Sequence, residues 1–146
     1  MAIDVSVETE IARPAPAVAA YMFEPSNDPK WIGGISSAEL LTPRPVGKGT
    51  QVRRLAGFMG KTIDYILEVD DFVPDQLMLM RSVKSPFPMV VTYRIEKISE
   101  ERARVSIRIE GNAKGFYGFL SGLFMKPMVR RNVNGDLQRM KKILES

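Results

Sequence analysis

Four side chains in this sequence set a polar or charged head within an apolar strand pattern: Arg54, Tyr65, Arg81 and Tyr93. Their chemistry is narrowed by what the chain lacks. It has no histidine and no cysteine, which excludes Ser-His-Asp and Cys-His nucleophilic chemistry and both imidazole and thiolate zinc sites. Any acid or base must be a carboxylate, lysine, arginine or tyrosine with a displaced pKa. No spaced carboxylate motif for magnesium or calcium is present, so neither a metal nor a cofactor is expected. What remains is a guanidinium that holds an enolate or carboxylate, and a phenol that shuttles a proton.

The strand bearing Arg54 decides whether that chemistry faces inward. Thr50, Val52, Arg54, Ala56 and Phe58 alternate on one face. If Val52, Ala56 and Phe58 point into the protein, Arg54 does too. Arg81 likewise shares a face with Leu77 and Leu79. An inward arginine must be paired or must meet an anionic ligand group, and Glu68 and Asp70 are the candidate partners. The competing reading is a bulge that turns either arginine to solvent, or brings Arg53 inward in place of Arg54.

These residues sit within a succession of strands. Ile3, Val5, Val7 and Ile11 alternate with Asp4, Ser6, Glu8 and Glu10, the period of a half-buried strand. Pro14 and Pro16 end it and open a short helix to about Phe23. Residues 24–34 read as turns with one helical turn, and hold the only tryptophan, Trp31. Strands follow near 35–42 and 50–58, then one carrying Ile63, Tyr65, Leu67 and Val69 on one face. Another runs from Leu77 to Val83. Two more carry Met89, Val91, Tyr93, Ile95 and Val105, Ile107, Ile109.

From Gly115 the apolar spacing becomes three and four, through Phe116, Leu120, Leu123, Phe124, Val133, Leu137, Met140 and Leu144. That is a long C-terminal helix. Pro127 should kink it or split it. Consecutive strands closed by a helix give an α+β fold with antiparallel neighbours, as one domain over residues 1–146. One helix across a curved apolar face covers only part of it, so the sheet and helix should enclose an apolar cavity. Tyr65, Met78, Tyr93 and Phe116 would stand on its walls, with Leu120 and Phe124 on the helix and Trp31 at its mouth or plugging the core.

Pro14-Ala15-Pro16-Ala17-Val18, Asn27-Asp28-Pro29-Lys30-Trp31, Val46-Gly47-Lys48-Gly49-Thr50 and the closing Leu137-Gln138-Arg139-Met140-Lys141-Lys142-Ile143-Leu144-Glu145 lie in the order and spacing of a known superfamily. The chain resembles, along its whole length, polyketide cyclase/dehydrase-like proteins of the START and birch-pollen-allergen (SRPBCC) superfamily. The resemblance implies the helix-grip fold: a curved antiparallel sheet of about seven strands, two short helices after the first strand, and a long C-terminal helix. It also implies an apolar cavity for lipids, sterols or polyketides.

Three function classes follow. The first is binding or transport of a hydrophobic small molecule, with an anionic group if Arg54 is unpaired. The second is a cyclase or dehydratase using Arg54, Arg81, Tyr65 and Tyr93. The third is a membrane-surface or partner-binding module. Residues 114–146 hold seven basic and two acidic side chains, a balance of +5, against −1 for the rest. A solvated basic helix face is the favoured account of that asymmetry, so membrane contact is not. Nucleic acid is not expected, because no recognition motif accompanies the charge. The opening residues carry no signal-peptide pattern, so a cytoplasmic monomer or homodimer is expected.

Overall fold

In a computed structural model of the chain, residues 2–58, 60–85, 88–112 and 122–146 are described. Strand β1 (Ala2–Ile11) is followed by helix α1 (Ala15–Met22). Pro14 precedes α1, and its fixed φ suits a helix start. A 3-10 turn (Pro25–Asn27) and helix α2 (Asp28–Trp31) lead to β2 (Ile35–Leu40) and β3 (Gln51–Phe58). Then come β4 (Lys61–Val73), β5 (Leu77–Lys84), β6 (Met89–Ser99), β7 (Arg102–Asn112) and α3 (Gly122–Glu145).

The seven strands form one sheet in the order β1-β7-β6-β5-β4-β3-β2, every pair antiparallel. This is the expected helix-grip architecture. The period-two reading holds where polar and apolar residues alternate cleanly. Ile63, Tyr65, Leu67 and Val69 are all buried on β4, as are Val91, Tyr93 and Ile95 on β6. The pairing of β4 with β5 shifts register between Val69 and Asp71, a bulge that bends the sheet.

The short helix α1 covers one end of the concave face, against β6 and β7. Its Val18, Ala19 and Met22 share one buried apolar core with Leu67, Val69, Met78, Ile95 and Val105 of the sheet and Leu137 and Met140 of α3. Val133, Leu137 and Met140 recur at spacings of four and three, so the buried stripe of α3 is the one its periodicity predicts. α3 runs through Pro127 as a single element, which corrects the expected split. The expected helical start at Gly115, and with it Phe116 and Leu120, lies outside the described residues. Phe124 falls within α3, but its side chain is also outside them.

Candidate functional site

At the other end of the concave face a cavity of about 280 Å³ separates the sheet from α3. Its floor comes from Ala56, Ile63, Val91, Ile107 and Ile109, alternate residues of four strands. Its roof is Met128, Val129, Asn132, Val133 and Asp136 of α3. Those five residues span two helical turns and lie on one face, the three-and-four spacing again.

The polar groups of the cavity gather where α2 approaches the sheet. Arg54 projects inward from β3 opposite Tyr65 of β4 and is 5% exposed. Its Nε and Nη2 donate to Oδ2 of Asp28 at 3.0 and 2.8 Å. Asp28 is 3% exposed. Nη2 also donates to the Tyr93 hydroxyl at 3.2 Å. Burial opposes the Arg54 charge, but Asp28 and the two nearby tyrosines more than compensate and hold its pKa above the usual value. Burial pushes the Asp28 carboxyl up, and Arg54 pulls it back. The guanidinium cannot shed its proton, so the carboxyl group faces a permanent positive charge.

Tyr93 is 2% exposed and held by rings on two sides. Phe23 stacks on it with centroids 6.5 Å apart, and Trp31 meets it at 5.8 Å and 57°. Burial pushes its hydroxyl up to about 12, with Arg54 pulling the other way, so at neutral pH it is a phenol. The hydroxyl accepts from Arg54 and donates to no described residue.

Trp31 is 1% exposed in the core and also lines the cavity. Its buried indole N–H has no acceptor among the described residues. One helical turn separates it from Asp28, so a single short helix sets both. The chain after α2 is tied to α3. Asp136 Oδ1 accepts from the Gly33 amide at 2.9 Å and from Arg139 Nη1 at 3.1 Å. Arg139 Nη1 also donates to the Trp31 carbonyl at 2.7 Å. Burial pushes the Asp136 carboxyl up against those two hydrogen bonds.

Of the expected site residues, Trp31, Arg54, Tyr65 and Tyr93 come together on the cavity wall. Met78 is buried in the filled end and is not among the residues lining the cavity. Arg81 is a correction: it stands on the outer face, with its side chain 56% exposed, and pairs with Asp70 at 3.3 Å. It does share a face with Leu77 and Leu79, as read, but Met78 and Met80 take the inner one. The partner of Arg54 is a second correction. Glu68 and Asp70 alternate with the buried Leu67 and Val69, so both face outward, where Glu68 accepts from Gln51. Asp28 from α2 takes their place.

The sequence reading also passed over Asp136 and Asn132. Asp136 had a legible signal, an acid in phase with the Val129, Val133 and Met140 stripe of a basic helix. Asp28 had none beyond its place in the Asn27–Trp31 segment.

No metal-binding cluster of acidic side chains occurs among the described residues. Nor is any helix among them long and apolar enough to cross a membrane. Lys126, Arg130 and Arg131 line a separate groove with Val7 and Glu8, away from the cavity wall.

Similar folds recur in solved structures. The Zhui aromatase/cyclase from Streptomyces sp. R1128 is 19% identical, with a TM-score of 0.79 over 99% of this chain and 94% of that one. A protein of Thermus thermophilus is 18% identical, with a TM-score of 0.81 over 95% and 94%. A START superfamily protein from Mycobacterium smegmatis is 18% identical, with a TM-score of 0.74 over 97% and 94%. No curated protein matches the sequence. At such identities the likeness establishes the fold and nothing finer. The family itself follows from sequence, because the profile described as polyketide cyclase/dehydrase and lipid transport matches residues 2–145, nearly the whole chain. The chain belongs to that family.

Proposed function

We propose that the protein binds a hydrophobic small molecule in the cavity between the sheet and α3. The observation that carries this reading is the cavity of about 280 Å³ that the described residues leave between the apolar face of the sheet and Met128–Asp136. Ligand sites are mostly apolar with a few placed polar groups, and here Arg54, Tyr65, Tyr93 and Asp136 are those groups. Trp31 is the only tryptophan and lines the cavity, so its fluorescence reports occupancy directly. Native mass spectrometry of the purified protein, followed by titration with the extracted compound, tests the reading. A co-purifying apolar mass that shifts Trp31 emission supports it. Ligand uptake unchanged by Val133→Trp, which fills the roof, refutes it.

A cyclase or dehydratase activity is the second reading. Asp136 on the helix wall and the neutral Tyr93 hydroxyl on the sheet wall flank the same space, a base and an acid of matched placement. The aromatase/cyclase named above shares the fold. Turnover of a bound poly-ketone, lost in Asp136→Asn with binding retained, distinguishes catalysis from binding alone.

A further inference from the structure

The binding reading leaves open what head group the ligand carries. Charge around the inner end of the cavity answers this. Arg54 is the only basic side chain among the described residues lining the cavity. One edge of its fork is engaged: Nε and Nη2 both donate to Asp28 Oδ2, while Nη1 makes no hydrogen bond to a described residue. Asp136 is the one carboxylate among the described residues lining the cavity. The Arg139 guanidinium, which balances Asp136, is not among the lining residues and is committed to Asp136 and the Trp31 carbonyl. Among the described residues, no positive charge in the wall is left without its own counter-charge.

We infer that the cavity selects ligands whose inserted head is an uncharged hydrogen-bond acceptor, a ketone, quinone or ester carbonyl, and rejects carboxylates and phosphates. This rests on the binding reading above. A carboxylate arriving at Arg54 would have to share the guanidinium with Asp28 or displace it, and displacement leaves Asp28 as an unpaired buried anion. A neutral carbonyl asks only for a donor. The Tyr93 hydroxyl provides one, because it accepts from Arg54 Nη2 and donates to no described residue. The Arg54 bond polarises that hydroxyl and strengthens it as a donor towards the next acceptor. Arg54 therefore acts on the ligand through Tyr93, as a positioning and polarising residue. The sequence reading made an anionic ligand group conditional on an unpaired Arg54, and Asp28 pairs it.

The test uses the full chain and two probes of one shape, 2-acetylnaphthalene and 2-naphthoate. Binding is measured by equilibrium dialysis and Trp31 emission at about pH 7.5, where the acid is ionised. The ketone should bind at least about tenfold more tightly, the smallest difference expected of an unpaired charge in an apolar site. Asp28→Asn frees the guanidinium and should reverse the order in favour of naphthoate. The double change Asp28→Asn with Arg54→Gln removes both charges and should restore the ketone preference. It buries no lone charge, so together with the wild-type comparison it decides the matter even if Asp28→Asn fails to fold. Naphthoate binding as tightly as the ketone to the wild-type protein overturns the inference and leaves the binding reading standing. Binding of neither probe, with Trp31 emission unmoved, overturns the binding reading and the inference with it.

Discussion

Replacing Arg54 with methionine, Asp28 with leucine, and both together forms a cycle whose outcome the buried pair dictates. The two side chains are 6% and 4% exposed, so water does little to stabilise either charge once its partner is gone. Losing one member of a buried pair costs about 3–5 kcal/mol, while replacing both with apolar groups is close to neutral or stabilising. For a chain of this size a single change should therefore lower Tm by about 10–15 °C, and the double change should recover most of it.

The two singles should differ in their response to pH. In Asp28→Leu the stranded guanidinium cannot lose its proton, so the penalty is constant. In Arg54→Met the Asp28 carboxyl loses the charge that pulled its pKa down, and burial drives it further above the ordinary 3.8. An acid with a raised folded pKa contributes most below its unfolded value and loses that contribution as pH rises through the folded one. Arg54→Met should accordingly be most damaged at neutral pH and recover on acidification. Urea unfolding at pH 7 and pH 5, with the slope checked for two-state behaviour, measures all four corners. A single change costing under about 1 kcal/mol at pH 7 would mean the pair behaves like a solvated surface pair and would refute the argument.

Of the four tyrosines, Tyr93 should ionise at about pH 12. Its folded value lies above the unfolded one, so its contribution to stability is complete below about pH 10 and lost as pH rises further. An ultraviolet titration in which Tyr93→Phe removes no late step contradicts this. The Arg44 fork holds Glu24 down at about 2, so that contribution is complete above the ordinary glutamate value and lost as pH falls through about 2. Arg44→Gln should raise the midpoint of acid unfolding, and an unchanged midpoint counts against it. Gly49 has a φ of 91°, so Gly49→Ala should cost about 1–2 kcal/mol in urea unfolding, the penalty of a left-handed backbone. A loss below a few tenths would show that the turn rearranges.

How far the sequence exposed this architecture varied from strand to strand. In β4, Asp64 and Asp70 alternate with Ile63, Tyr65, Leu67 and Val69, and polarity alone names the inner face. In β5, Leu77 and Leu79 are as apolar as Met78 and Met80, so the period is invisible and Arg81 was assigned inward with the wrong pair. Arg54 was legible because its face-mates are small and apolar. Its partner was not, because pairing between a sheet and a loop helix 26 residues away leaves no periodic trace. Of the cavity roof only Val133 stood in the stripe read on the C-terminal helix, while Met128, Val129 and Asn132 were not singled out and Asp136 was read only as part of the charge balance.

These failures converge on one structural fact. The residues that sequence periodicity could not find are those that join elements to one another. Asp28 joins α2 to β3, and Asp136 and Arg139 join α3 to the chain just after α2. The helix that roofs the cavity is thus also the anchor of the segment that supplies Trp31 and the counter-charge of Arg54. Lifting α3 to admit a ligand would pull on Gly33 and Trp31, and through one turn of α2 on Asp28. A ligand that enters with its own charge would meet the Asp28–Arg54 pair in competition. A neutral one leaves the pair intact and needs only the Tyr93 hydroxyl. The anchor of α3 and the counter-charge of Arg54 therefore meet in one short segment, residues 28–33.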